Sequence, residues 1–141
     1  MLDDLHHVAI IVSDYRRSRR FYTDVLGLRI IAETYRPERD SWKLDLQVSA
    51  ASRVQIELFS FPAPPPRRSY PEACGARHLC FAVRDLDACV ERLQAAGVAV
   101  EPVRVDALTG ERFIFFTDPD GLPIELKEPP SLDAAAARTP D

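Results

Sequence analysis

Two His–Glu pairs carry most of the chemistry this chain can offer. His7 precedes Glu57 by 50 residues, and His78 precedes Glu125 by 47. Each Glu sits in an alternating strand-like run, Val54-Gln55-Ile56-Glu57-Leu58-Phe59 and Leu122-Pro123-Ile124-Glu125-Leu126. Alternation turns the aliphatic residues to one face and the carboxylate to the other. A carboxylate facing the inside of an apolar domain is costly unless a positive group meets it. Two imidazoles and two carboxylates would give a divalent metal N₂O₂ ligation, with the two Glu charges balancing the ion. An octahedral ion held this way keeps two positions for water or substrate, which suits catalysis better than a closed, Cys-rich structural site. Taken one at a time, these residues read more simply as a satisfied core His or a solvent-facing Glu. Repetition is what argues for a site. His6 competes with His7, and the repeat register together with strand alternation selects His7.

The elements that must position them recur as well. Leu5 to Val12 predicts a strand; Ser13 or Asp14 can cap a helix to about Leu26, which Gly27 ends. Along that helix Tyr15, Ser18, Phe21, Tyr22, Val25 and Leu26 fall at helical spacing, and Arg16, Arg17, Arg19 and Arg20 form a solvated face. Strands follow at Leu28 to Tyr35, Trp42 to Val48 and Arg53 to Phe61, with Arg36 to Asp40 as a polar loop. Pro62 to Pro71 is too rich in Pro for a helix and predicts an extended connector. The pattern then restarts. Arg77 to Val83 predicts a strand, Asp85 caps a helix ended by Gly97, and strands follow at Val98 to Val105, Arg112 to Phe116 and Leu122 to Lys127. Asp118-Pro119-Asp120-Gly121 suits a type I turn that sets the register of the last strand.

The order is therefore strand–helix–three strands, twice. His78 follows His7 by 71 residues, Asp85 follows Asp14 by 71, Gly97 follows Gly27 by 70 and Glu125 follows Glu57 by 68. Four markers at nearly one offset predict a duplicated module, an α+β unit of βαβββ type in which each copy is too small to close its own core. The expected boundaries are 4–61 for module 1, 62–75 for the linker, 76–128 for module 2 and 129–141 for a frayed tail.

Composition narrows the function classes. The chain has 141 residues, 46% hydrophobic and 28% charged, with a net charge of −4, an ordinary globular balance. Nothing in it suggests nucleic acid or a membrane surface as partner, and no apolar run approaches the ~20 residues needed to span a bilayer. The acidic start, Met1-Leu2-Asp3-Asp4, does not read as a secretory signal. Cys74, Cys80 and Cys89 are odd in number and form no C-x-x-C pair, so they read as free thiols filling core in a reducing cytoplasm.

The motifs resemble a known family. His7-Val8-Ala9-Ile10, Phe21-Tyr22-Thr23-Asp24-Val25-Leu26-Gly27-Leu28, Ile56-Glu57-Leu58, Arg77-His78-Leu79 and Asp118-Pro119-Asp120-Gly121 with Ile124-Glu125-Leu126 are similar to the glyoxalase I branch of the vicinal oxygen chelate superfamily. More narrowly, Arg39-Asp40-Ser41-Trp42-Lys43, Ile56-Glu57-Leu58-Phe59-Ser60-Phe61-Pro62 and Pro71-Glu72-Ala73-Cys74-Gly75 resemble the bacterial YaeR-type glyoxalase-like metalloproteins. The resemblance spans about residues 4 to 128. It implies the glyoxalase/bleomycin resistance/dihydroxybiphenyl dioxygenase fold, paired βαβββ modules whose curved mixed sheets cup one metal site, often completed in a homodimer. It also implies His7, Glu57, His78 and Glu125 as ligands of one divalent ion: Zn, Ni or Co, with Mn and Fe as further candidates. The implied chemistry is isomerisation of a hemithioacetal, formed from a 2-oxoaldehyde and a thiol, through an enediolate. In that scheme a carboxylate moves the proton, Glu125 first and Glu57 second.

Two positions depart from the pattern. Glutathione-using members carry an Arg four residues beyond the first His and an Asn four beyond the first Glu, where this chain has Ile11 and Phe61. The departure points to a lyase or isomerase that does not use glutathione itself. Arg36, Lys43 and Arg112 are candidates to hold an anionic small-molecule substrate, beside the plainer reading as surface charge. Two alternatives share the fold. A non-heme oxygenase would use two His and one Glu, and Glu57 as a fourth ligand argues against it; a non-catalytic metal- or small-molecule-binding protein needs no turnover.

Overall fold

The computed structural model describes residues 2–129. It divides into two compact units, with the boundary between Arg67 and Arg68 inside the proline-rich stretch. The expected tail, apart from Pro129, lies outside the described residues.

The first unit contains β1 (His7–Val12), α1 (Tyr15–Arg20), β2 (Arg29–Arg36), β3 (Ser41–Gln47) and β4 (Gln55–Ser60). Asp14 caps α1, its carboxylate accepting from the Arg17 N–H at 3.0 Å. Helical backbone continues past α1 as a π-helical turn over Phe21–Val25, and Gly27 follows with a φ of 83°. That conformation is open to Gly without a Cβ penalty. The helix buries Ser18, Phe21 and Tyr22 and lies against β4. The four arginines stay in solvent contact, as the amphipathic pattern predicts, and Arg19 meets Glu33 at 3.2 Å. The sheet runs β1-β4-β3-β2, with β1 parallel to β4 and the other pairs antiparallel. Its helix-facing side is the core: Val12, Leu44, Leu46, Ile56 and Leu58 are all essentially inaccessible.

The second unit repeats this order with β5 (Leu79–Ala82), α2 (Leu86–Ala95), β6 (Arg104–Val105), β7 (Arg112–Thr117) and β8 (Pro123–Glu128), in sheet order β5-β8-β7-β6. Asp85 caps α2 through the Ala88 N–H at 2.9 Å, and Glu128 accepts from the Leu86 N–H at 3.0 Å. Leu86 and Leu93 of α2 and Ile114, Phe116, Ile124 and Leu126 of the sheet form the core. The architecture is α+β, two four-stranded mixed sheets of the duplicated βαβββ kind.

Two expectations need correction. The strand expected over Val98 to Val105 shrinks to Arg104–Val105. The residues before it are mostly exposed. The Glu101 N–H reaches the Phe115 carbonyl at 2.9 Å, but Pro102 has no N–H to extend the pairing, so hydrophobicity alone does not make them strand. The cysteines are not core filler, since Cys74 and Cys80 are exposed and Cys89 is half-buried. Among the described residues no helix is long and apolar enough to cross a membrane.

Candidate metal centre

In the first unit, register decides what surrounds Glu57. It lies between Ala9 of β1 and Asp45 of β3. His7, two residues before Ala9, shares its face because side chains alternate along a strand. The His7 Nε2 stands 3.8 Å from Glu57 Oε2. The other Glu57 oxygen, Oε1, accepts from Lys43 Nζ at 3.0 Å, and Lys43 also donates to Asp45 Oδ1 at 2.6 Å. These hydrogen bonds, to Asp45 first and Glu57 after it, outweigh burial and raise the Lys43 ammonium above the usual lysine range. Glu57 itself is buried. A cation does meet it, but the cation comes from the protein.

The second unit uses the same register with other neighbours. Glu125 lies between Cys80 of β5 and Phe115 of β7. His78, one residue before β5, places Nε2 3.1 Å from Glu125 Oε2. Its ring meets Phe115 edge to face, with centroids 5.3 Å apart. Its Nδ1 is buried and has no hydrogen-bond partner among the described residues. Cys80 keeps solvent contact, but crowding by the sheet and then the Glu125 charge push its thiol up to about 11. A thiol held that high stands beside Glu125 in its neutral form. The turn before β8 is built as its residues predict: Gly121 N–H donates to the Asp118 carbonyl at 3.0 Å, with a Gly121 φ of 80°. The buried Asp118 carboxylate accepts from the Asp120 and Leu122 N–H groups at 2.9 and 2.8 Å.

Each His is thus brought to the Glu of its own unit. Among the described residues, no three His, Cys, Asp or Glu side chains are grouped so as to hold an ion as they stand. The donor spacing nonetheless suits one. With metal–nitrogen and metal–oxygen distances near 2.0–2.2 Å, adjacent ligands of one ion stand about 3.0–3.5 Å apart. His78 and Glu125 already meet that separation at 3.1 Å, and His7 and Glu57 exceed it slightly at 3.8 Å. An imidazole nitrogen and a carboxylate oxygen in each pair match the borderline divalent ions.

The candidate substrate cations separate. Lys43 is engaged by Asp45 and Glu57. Arg112 lies on the opposite side of its sheet, bound to Asp87 of α2 at 2.6 Å and to Glu128 at 3.0 Å, which removes it from the Glu125 face. Arg36 stays on the Glu57 face, its guanidinium 4.8 Å from the Phe59 ring centroid. Sequence reasoning missed the Lys43–Asp45–Glu57 contact. The spacing Lys43-Leu44-Asp45 does place both charges on one face, but not which strand lies beside them.

The sequence profile of the Glyoxalase/Bleomycin resistance protein/Dioxygenase superfamily matches residues 4–126. The uncharacterized protein YaeR of Escherichia coli is 54% identical over 127 residues, which cover 90% of this chain and 97% of YaeR. The crystal structure of a glyoxalase family protein from Enterococcus faecalis shares 43% identity at a TM-score of 0.80, covering 89% of this chain and 97% of that one. Lactoylglutathione lyase of Haemophilus influenzae is 32% identical over 128 residues, covering 86% of this chain and 90% of the lyase. By sequence profile and by fold, the chain belongs to the Glyoxalase/Bleomycin resistance protein/Dioxygenase superfamily.

Proposed function

We propose that the protein is a metal-dependent isomerase or lyase of the glyoxalase type, acting on a small α-oxo compound or the thiohemiacetal of a 2-oxoaldehyde. One observation carries the reading: both units set a His at the start of the first strand against the last-strand Glu, Nε2 toward Oε2, on the sheet face away from the core. The relationship to a lactoylglutathione lyase supports the same reaction class. His7, Glu57, His78 and Glu125 would hold one divalent ion, Zn, Ni or Co, with Mn and Fe served by the same donors. When bound, the ion supplies the positive charge that polarises vicinal substrate oxygens and stabilises negative charge developing on them.

The chain's own residues divide the remaining work. Glu57 is fixed through Oε1 by Lys43, which leaves Oε2 for ligation. Among the described residues no Lys or Arg is hydrogen-bonded to Glu125; Lys127 acts on it through charge at a distance, and the His78 ring, the Cys80 thiol and Phe115 lie beside it. That makes Glu125 the better carrier of a proton between adjacent carbons, and Glu57 the second candidate. Ile11, on the His7 face of β1, and Phe61, two residues beyond Phe59, replace the polar grips that glutathione would need. The reading therefore favours a thiol other than glutathione, or no thiol. It also places the protein in the cytoplasm as a homodimer, which sedimentation will check.

The test is metal content of the purified protein after loading with Zn, Ni or Co, followed by methylglyoxal turnover with and without glutathione. One tightly held ion per site, lost in His78→Ala, supports the reading. Metal uptake unchanged in both His7→Ala and His78→Ala would overturn it.

A further inference from the structure

We infer that Arg36 is the substrate-gripping residue of the first unit, and that the substrate carries a negatively charged oxyanion group, carboxylate or phosphonate-like, beside its α-oxo function. The inference rests on the metal-centre reading above and adds to it a class of substrate.

The geometry begins with the register. Arg36 ends β2 opposite Ser41, while Thr34, two residues earlier on the same face, lies opposite Lys43, which in turn lies opposite Phe59. Strand alternation then puts Arg36, Ser41, Lys43, Phe59 and Glu57 on one side of the sheet, the side away from the core. Phe59 is two residues beyond Glu57, about 7 Å along the strand. A small acid can span that interval.

The side chain is held in place by contacts that do not discharge it. Its guanidinium carbon lies 4.8 Å from the Phe59 centroid and 5.6 Å from that of Phe61, and the two rings are themselves parallel, 6.2 Å apart. An aromatic face attracts a guanidinium and fixes its plane without neutralising its charge. One terminal nitrogen donates to Ser41 Oγ at 2.7 Å. The Nε is buried and, among the described residues, donates to nothing. Buried donors nearly always have partners, so an orphaned one marks a place where an acceptor is expected.

The counterpart in the second unit shows what is missing. Arg104 sits over Phe113 and Phe115 at 5.1 and 5.5 Å, in the same relation to two rings, but it is paired with Glu101 at 2.6 Å. Lys43, beside Arg36, has both Asp45 and Glu57. Among the described residues no carboxylate meets Arg36. A planar, preorganised guanidinium with a free edge is suited to a carboxylate or phosphonate in a way that an ammonium is not.

Three probes that share one metal-binding head distinguish the outcomes: acetohydroxamate, which is neutral; malonomonohydroxamate, which adds a carboxylate; and phosphonoacetohydroxamate, which adds a phosphonate. Their affinities are measured by calorimetry on Co-loaded protein, wild type and Arg36→Gln. A charge-assisted contact predicts that the better anionic probe binds wild type about 10- to 100-fold more tightly than the neutral one. Arg36→Gln should erase that ratio while leaving acetohydroxamate affinity unchanged, and Arg36→Lys should restore part of it. The preferred anionic probe names the group. A ratio preserved in Arg36→Gln overturns the inference and leaves the metal reading intact. Failure of the metal or of acetohydroxamate to bind overturns the metal reading instead. In that case the Arg36 Nε–H resonance, followed in metal-free protein during a methylphosphonate and an acetate titration, decides. A saturable shift absent from Arg36→Gln supports the grip, and an unmoved resonance ends it.

Discussion

The two units use one backbone plan and arrive at different chemistry. In both, the central Glu of the last strand is flanked by the first strand and by the strand before it: Ala9, Glu57 and Asp45 in one unit, Cys80, Glu125 and Phe115 in the other. Two residues further along, each unit pairs one Lys with one Phe, but their strands are exchanged: Lys43 opposite Phe59, and Phe113 opposite Lys127. The exchange matters because Lys43 reaches back to Glu57, at 3.0 Å, whereas Lys127 is bound to Glu111, at 2.8 Å. One carboxylate is consequently anchored by a cation and the other is walled by a ring and a neutral thiol. Duplication supplied two equivalent sites for a His–Glu pair, and neighbouring side chains made them unequal.

That inequality is open to direct attack. The largest expected effect is on turnover: Glu125→Gln should lower kcat by about 10²–10⁴, the range for losing a positioned base. Glu57→Gln should weaken metal binding more than it lowers kcat. Equal kcat losses in both variants would erase the proposed division of labour. Next come the cores, where the units should behave alike. Leu58→Ala and Ile124→Ala, both at fully inaccessible positions, should each cost about 2–5 kcal/mol in urea unfolding. A large difference between them would mean that the units are not equivalent in packing.

Lys43→Met tests the anchor itself. It removes a partly buried ammonium and leaves Asp45 and Glu57 with no cation between them. The expected cost is about 1–3 kcal/mol in the metal-free protein, with a smaller loss for Lys127→Met; reversal of that order would remove the contrast between the two Lys residues. Smallest are the helix caps. Asp14→Ala and Asp85→Ala should each cost about 1 kcal/mol, although α1 has 6 residues and α2 has 10. A thermal melt on each variant suffices to compare them.

Much of this was legible in the residue order. Period-two alternation around Glu57 and Glu125 and the Asp–Gly brackets of the helices give βαβββ twice, because alternation and capping are local properties of the chain. The strand expected from Val98 failed for the complementary reason. Its apolar residues satisfy a propensity, and the Glu101 N–H reaches the Phe115 carbonyl at 2.9 Å, but Pro102 has no N–H with which to continue the ladder. The His–Glu pairs were also visible, since a duplicated offset needs no structure to be seen.

What the sequence could not provide is adjacency across strands. The sheet order β1-β4-β3-β2 puts Asp45 and Lys43 beside Glu57, and β5-β8-β7-β6 puts Phe115 and Cys80 beside Glu125. Likewise, Arg112 and Arg36 read alike as surface cations until the register sends one to the helix side and the other to the Glu57 face. Which residues alternate, cap and repeat is written in the chain by itself. Which of them face one another depends on strand pairing between segments far apart in sequence, and only tertiary structure fixes that.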